Sequence, residues 1–276
     1  MDSRRRGYLR ALEIDVWERR SLSRESTAVE APESLAPAVA DKPADFPATS
    51  RFAGRLPPSA AAHHSSGTVE AAASPAKLAD PTRAADLAAV AGYDWPELEA
   101  AVKGCTRCPL HLTRTQGVFG VGNRKARWMI VGEAPGADED RQGEPFVGRA
   151  GQLLNSMLRA IGLQREDVFI ANILKSRPPN NRDPKPEEVQ ACIPYLFRQI
   201  ELVNPTLILC VGRIAAQTLL DTTVTIGKLR GQVHRLASGR PMIVTYHPAY
   251  LLRSPVEKRK SWADLLLAMQ TFERLA

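Results

Sequence analysis

Short apolar runs recur along the second half of the chain, and stretches with helical periodicity lie between them. Each run is rich in Ile, Val or Leu, and the runs lie at residues 128–131, 168–173, 207–211 and 242–245. Such runs are typical of strands that a parallel sheet buries on both faces. Helices are predicted between and after them, at residues 151–161, 186–203, 213–220 and 262–275. We therefore predict an α/β fold, a three-layer α/β/α sandwich with a four-stranded, mostly parallel sheet.

The first third of the chain lacks this pattern. Residues 21–90 are rich in Ala, Pro, Ser and Thr with few large apolar residues, which predicts a disordered linker. Residues 1–20 form a short peptide in which Leu9, Leu12 and Val16 share one helical face. The chain is thus predicted to consist of this peptide, the linker and one folded domain over residues 91–276.

Charge separates the folded part from the rest. Of the net charge of +7, all falls within residues 91–276, which hold 25 Lys and Arg against 18 Asp and Glu. A basic folded domain suits a polyanion such as DNA, although charge alone fits a merely soluble surface equally well. The sequence shows neither a membrane-length apolar run nor a signal peptide, so we expect a soluble, cytoplasmic protein that acts at the bacterial nucleoid. The four cysteines suit metal ligands or buried thiols better than disulfides.

Polar or turn-forming residues follow all four predicted strands. The first strand leads into the loop 132–136 (GEAPG), the second ends at Asn172, Gly212 and Arg213 follow the third, and the fourth runs into His247. Because parallel strands end at the same edge of a sheet, these residues are expected to lie together where open α/β sheets bind ligands.

Several strings in series carry a family resemblance. They are GEAPG at 132–136, ED at 139–140, GEPFVGRAGQLL at 143–154, KSRPP at 175–179 and HPAYLLR at 247–253. Together they resemble the family 4 uracil-DNA glycosylases, bacterial and archaeal enzymes that carry an iron–sulfur cluster, over about residues 95–275. The resemblance implies a monomeric DNA-repair enzyme that hydrolyses the N-glycosidic bond of deoxyuridine in DNA and leaves an abasic site.

The resemblance also assigns roles to individual residues. Glu133 is expected to activate water and stabilise the cationic sugar, and His247 to hydrogen-bond uracil O2 as charge develops there. Phe146 is expected to stack on uracil and Asn172 to read its edge, while Gly132 and Ala134 complete the uracil-binding set.

DNA contacts are expected from the segment after His247. Either Leu251 or Leu252 is predicted to enter the base stack and fill the gap left by the flipped nucleotide. Phosphate contacts are predicted for Arg253, Lys258, Arg259 and Lys260. Whether Glu139 and the backbone of residues 136–140 exclude thymine is left open.

The cysteines depart from the family pattern at one position. Cys105 and Cys108 form a CxxC pair, Cys192 matches a third family ligand of a [4Fe–4S] cluster, and Ser176 stands where the fourth cysteine is expected. Three readings stay open: a cluster on three thiolates with the Ser176 oxygen, water or another group at the fourth iron, a Cys3His zinc site with His111, or loss of the metal. We expect a retained, structural cluster.

The N-terminal peptide carries a second, weaker resemblance. Residues 4–20 are similar to the N-terminal peptide of the psi subunit of bacterial DNA polymerase III, which binds the clamp loader, although Glu13 replaces a glycine. We hypothesise that this peptide tethers the domain to the replication machinery. Binding of clamp-loader subunits by residues 1–25, lost in Trp17→Ala, is the result that would support it, and no binding at micromolar concentration would remove it.

Three rival interpretations follow from the same residues. One is a non-catalytic DNA-binding protein on this scaffold, favoured by Ser176 but opposed by the intact Glu133, Asn172 and His247. Another is an adaptor that acts through the N-terminal peptide. The third traps its product covalently, but that branch carries an additional basic loop, and residues 140–148 contain no such insertion.

Overall fold

A computed structural model describes residues 81–275 and contains a mixed six-stranded sheet. The strands are β1 (Val121–Gly122), β2 (Trp128–Gly132), β3 (Val168–Asn172), β4 (Leu207–Val211), β5 (Val233–Arg235) and β6 (Pro241–Thr245). Their order across the sheet is β1-β3-β2-β4-β6-β5, with parallel pairing from β3 to β6 and antiparallel pairing at both edges. The predicted four strands are therefore the parallel centre. The two edge strands, of two and three residues, were too short to leave a pattern in the sequence.

Nine α-helices surround this sheet in the described range. They are α1 (Pro81–Ala91), α2 (Trp95–Lys103), α3 (Ala137–Gln142), α4 (Arg149–Ala160), α5 (Pro186–Val203), α6 (Arg213–Leu219), α7 (Ile226–Leu229), α8 (Pro248–Arg253) and α9 (Lys258–Leu275). The last of them begins four residues before the predicted start at residue 262.

Alternate side chains of the central strands enter two separate apolar cores. In β2, Met129 and Val131 pack with residues of α5, α6 and α7, whereas Trp128 and Ile130 pack with residues of α4, α8 and α9. The same alternation runs through β3, β4 and β6, because successive side chains of a strand point to opposite faces. The predicted three-layer α/β/α sandwich is confirmed.

The folded domain begins earlier than the sequence pattern indicated. Helix α1 occupies residues that had been assigned to the linker, and Val90 is buried in a third apolar cluster with residues of α2 and α5. Its alanine-rich sequence hid this, since alanine favours a helix but marks no apolar face. Residues 1–80, with the clamp-loader peptide at 4–20, lie outside the described residues, so that hypothesis stays a prediction. Between residues 81 and 275, no helix is long and apolar enough to cross a membrane.

Gly122 allows the edge strand β1 to lie close to β3, because it has no side chain. Gly122 has a φ of +112°, and a Cβ at this position would lie 2.0 Å from the Val168 carbonyl oxygen. We expect Gly122→Ala to lower the free energy of unfolding by roughly 1–3 kcal/mol in urea titrations. The control is Gly227→Ala in α7, where the added methyl meets no atom within 4 Å. Equal midpoints for the two variants would contradict the expectation.

Candidate active site

A cleft of about 700 Å³ opens at the carboxyl ends of the four parallel strands. The chain leaves β2 for β3 on one side and then crosses to β4 on the other, so the strand order reverses at β2. Such a reversal opens a crevice between the loops that follow the strands. The cleft brings together six of the site residues predicted from the sequence, which are Glu133, Ala134, Phe146, Asn172, His247 and Arg253.

Gly132 lies directly behind this group and permits its close packing. A Cβ on Gly132 would lie 2.4 Å from Asn172 Oδ1 and 2.6 Å from Phe146 Cζ, so any side chain here would displace both groups. Asn172 Oδ1 is buried and accepts no hydrogen bond from the described residues. A buried acceptor without a partner costs about 1–3 kcal/mol, which a ligand N–H would recover.

The backbone of Asn172 is held from below by a buried lysine. Lys175 Nζ donates to the Asn172 carbonyl oxygen at 2.8 Å and to Gln199 Oε1 at 2.6 Å, and Gln199 Nε2 donates to the Phe119 carbonyl oxygen at 2.9 Å. Burial lowers the pKa of Lys175 to about 7. Sequence reasoning named Lys175 only as part of the string KSRPP and gave it no role, because a lysine after a strand is usually at the surface.

Phe146 forms a wall of the cleft from a constrained backbone. Its φ of 56° lies in the left-handed region, which costs a non-glycine residue roughly 1–3 kcal/mol. A Cβ on Gly151 would lie 1.8 Å from the Phe146 carbonyl oxygen, so the loop rests directly on the backbone of α4. The buried Phe146 ring lies 5.6 Å from the His247 ring, between centroids, at an interplanar angle of 31°.

The position of His247 at the start of α8 selects its tautomer. The Ala249 backbone N–H donates to His247 Nδ1 at 3.1 Å, so Nδ1 is an acceptor and the proton of the neutral ring is on Nε2. Burial, assisted by the positive charge of Arg253, lowers the pKa of His247 to about 4. At neutral pH this cleft residue is therefore an uncharged hydrogen-bond donor.

Glu133 lies in a setting that favours its protonated form. Burial raises the pKa of Glu133 to about 7, repulsion from Asp183 adds to the rise, and the positive charge of Arg213 opposes it. Arg213 Nη2 donates to Asp183 Oδ2 at 2.7 Å, and all three side chains line the cleft. Sequence reasoning noted Arg213 only by its place after a strand and missed Asp183, which lies in a loop without periodicity.

Comparison with known proteins identifies the family. A family model described as the uracil DNA glycosylase superfamily matches residues 119–266. A type-4 uracil-DNA glycosylase of Archaeoglobus fulgidus is 52% identical over 170 residues, which cover 59% of this chain and 85% of the relative. One of Thermotoga maritima is 51% identical over 154 residues, covering 55% and 80%. A third, of Pyrobaculum aerophilum, is 44% identical over 181 residues, covering 63% and 92%.

The chain belongs to the type-4 uracil-DNA glycosylase family. The predicted resemblance is thereby confirmed. The family-model match begins after the CxxC pair and ends within α9, so it spans the whole cleft.

Two of the predicted DNA-contacting side chains are buried in this type-4 domain. Leu251 is 1% exposed within the core beneath α8, which leaves Leu252 as the one of the two predicted leucines that could enter the base stack. Lys258 is 5% exposed, so its side chain is not placed to contact a phosphate as predicted. The early start of α9 turns Lys258 inward, which the predicted start at residue 262 did not show. Leu252 is half-buried, while Arg253 and Arg259 are exposed and Arg253 lines the cleft.

The three cysteines expected at a type-4 metal site are neighbours in space. The Cys108 and Cys192 thiols hydrogen-bond each other, which lowers the pKa of Cys108 and, together with burial, raises that of Cys192. Ser176 Oγ accepts from Arg114 Nη1 at 2.7 Å, and Arg114 Nη2 donates to the Cys105 carbonyl oxygen at 2.9 Å. Ser176 thus lies on the same side of the domain as the cysteines.

A single-ion site does not form from these residues. Among residues 81–275, no three His, Cys, Asp or Glu side chains are arranged to hold one metal ion. His111 Nδ1 lies 2.7 Å from the Cys108 carbonyl oxygen, which orients the ring toward the backbone. Cys210 is fully buried within β4.

Proposed function

We propose that this protein removes uracil from DNA by hydrolysing the N-glycosidic bond of deoxyuridine, which releases uracil and leaves an abasic site. The observation that supports this most directly is the shared cleft, in which a carboxylate, an unpartnered amide oxygen, an aromatic ring and a neutral imidazole line one cavity. A cavity of about 700 Å³ accommodates a nucleotide extruded from the duplex.

Uracil matches the hydrogen-bonding groups that the cleft offers. The Asn172 amide accepts through Oδ1 from uracil N3–H and donates through Nδ2 to uracil O4. Cytosine presents an acceptor at N3 and a donor at N4, so it would leave both amide atoms facing like groups, at a cost of about 1–3 kcal/mol. The Phe146 ring stacks on the base and supplies affinity without regard to its edge.

The chemistry assigns complementary roles to His247 and Glu133. As the C1′–N1 bond breaks, uracil leaves with its electron pair, and His247 Nε2–H donates to O2, where negative charge collects. The deoxyribose gains cationic character, which the Glu133 carboxylate stabilises while it takes a proton from water. The water oxygen then bonds to C1′, and the proton that Glu133 took from water passes through solvent to the uracil anion, which restores the carboxylate.

DNA is held outside the cleft by side chains that remain accessible. Arg253 and Arg259 contact phosphates, and their exposure at the cleft mouth and on the adjoining helix supports this role. Leu252 fills the gap left by the flipped nucleotide, since Leu251 is part of the core.

A uracil-release assay tests the proposal, with Glu133→Gln as the decisive variant. We expect wild-type protein to produce alkali-sensitive sites in a uracil-containing oligonucleotide but not in its thymine counterpart, and Glu133→Gln to lose at least ~100-fold in kcat/KM.

Because burial and Asp183 raise the pKa of Glu133 to about 7, kcat/KM should rise with pH through about 7 as the active carboxylate forms. Arg213→Gln should move that midpoint up and Asp183→Asn should move it down.

The alternatives give different results in the same assay. DNA binding without uracil release would identify a non-catalytic binding protein. A pH profile flat between 5 and 8, with Glu133→Gln as active as wild type, would remove Glu133 from the mechanism.

We further propose that Cys105, Cys108, Cys192 and Ser176 hold a [4Fe–4S] cluster. The donor set fits, because three neighbouring thiols supply thiolate ligands and Ser176 supplies an oxygen. The guanidinium of Arg114 lies beside these ligands and balances thiolate charge. The role of the cluster is structural, since hydrolysis requires no electron transfer.

Metal analysis of purified protein tests the cluster proposal. We expect a brown protein with about four irons per chain and thiolate-to-iron absorption. Cys192→Ala should lose the iron, whereas Cys210→Ala, at another buried cysteine, should retain it. Zinc, no metal, or equal iron content in the two variants would reject the proposal.

A further inference from the structure

The loop that carries Phe146 is hydrogen-bonded by Arg165, a side chain that does not line the cleft. Arg165 Nη2 donates to the Pro145 carbonyl oxygen at 2.6 Å, and Arg165 Nη1 donates to the Phe146 carbonyl oxygen at 3.2 Å. The same Nη1 lies 3.4 Å from Asn155 Oδ1 on α4. Arg165 therefore ties two successive carbonyl groups of the loop to the helix beneath them.

The front of the same loop is held by a carboxylate. Glu139 Oε1 accepts from the backbone N–H groups of Val147 and Gly148, each at 3.0 Å, and Oε2 accepts from the Gly136 N–H at 3.1 Å. Both carboxylate oxygens are thus engaged by backbone. Glu139 joins the loop after β2 to the loop of Phe146, so the two walls of the cleft keep a fixed separation.

These contacts oppose the natural preference of the Phe146 backbone. A phenylalanine with a φ of 56° relaxes to negative φ unless its surroundings hold it. Arg165 fixes the carbonyl on the C-terminal side of that torsion, and Glu139 fixes the two amides that follow. Without either support, the ring would leave its place against Gly132 and His247.

We propose that Arg165 is a positioning residue for uracil recognition, acting through the backbone of Phe146. The inference rests on the proposed function, since it concerns the stacking face of the same cleft. An arginine is needed because its planar guanidinium donates hydrogen bonds to two adjacent carbonyl groups and to Asn155 at the same time. A lysine has a single ammonium group and cannot reach all three acceptors in this geometry. Arg165 does not itself line the cleft and so takes no direct part in the reaction.

The test is Arg165→Lys, which keeps the positive charge and removes the planar guanidinium group. We expect the inhibition constant of free uracil to rise roughly 5- to 50-fold, the range expected for impaired base stacking. Affinity for DNA carrying a tetrahydrofuran abasic analogue should stay within about twofold of wild type, because that ligand places no base against Phe146. In a Phe146→Ala background, Arg165→Lys should have no further effect on uracil inhibition.

A matched control is Arg159→Lys on α4, where the arginine is exposed and donates to Ser156 Oγ at 3.1 Å. It should leave all three measurements unchanged. An unaltered uracil inhibition constant in Arg165→Lys, or a parallel loss of affinity for abasic DNA, would overturn the inference. Failure of the wild-type protein to release uracil would instead overturn the proposed function.

Discussion

Parallel alignment of four doubly buried strands is the constraint on which the rest of the structure depends. Their backbone hydrogen-bonding groups pair with neighbouring strands, and their side chains pack in two apolar cores. Polar side chains that bind a ligand are therefore confined to the strand ends. Parallel strands bring those ends to one edge, and the reversal of order at β2 opens that edge into a cleft. Glu133, Asn172 and His247 are neighbours for this reason, although the chain separates them widely.

Features determined by local sequence could be predicted, whereas features determined by contacts with distant parts of the chain could not. The central strands and the cleft residues Glu133, Phe146, Asn172 and His247 were predictable, because uniform apolar runs and family motifs are local signals. Strands β1 and β5 were not, since their pairing is determined by neighbours and not by their own two or three residues.

The errors and omissions have the same physical origin. Sequence alone could not choose between Leu251 and Leu252, because their exposure depends on the phase of a short helix. Lys258 was misassigned because its exposure depends on where the next helix begins. Lys175 was named only within a family string and given no role, and Asp183 and Arg165 were not singled out, because each acts through partners on other elements and no residue pattern marks such contacts. Sequence reasoning thus located the groups that face the ligand but not the groups that hold them.

The segment from Asn172 to Ser176, five consecutive residues, connects the cleft to the three cysteines. Asn172 ends β3 inside the cleft, Lys175 fixes its carbonyl oxygen from below, and the backbone N–H of Lys175 hydrogen-bonds the Cys192 thiol. Ser176 follows at once and is bound by Arg114. One short, hydrogen-bonded segment therefore links the Cys192 thiol and Ser176 to the residue that ends β3 in the cleft.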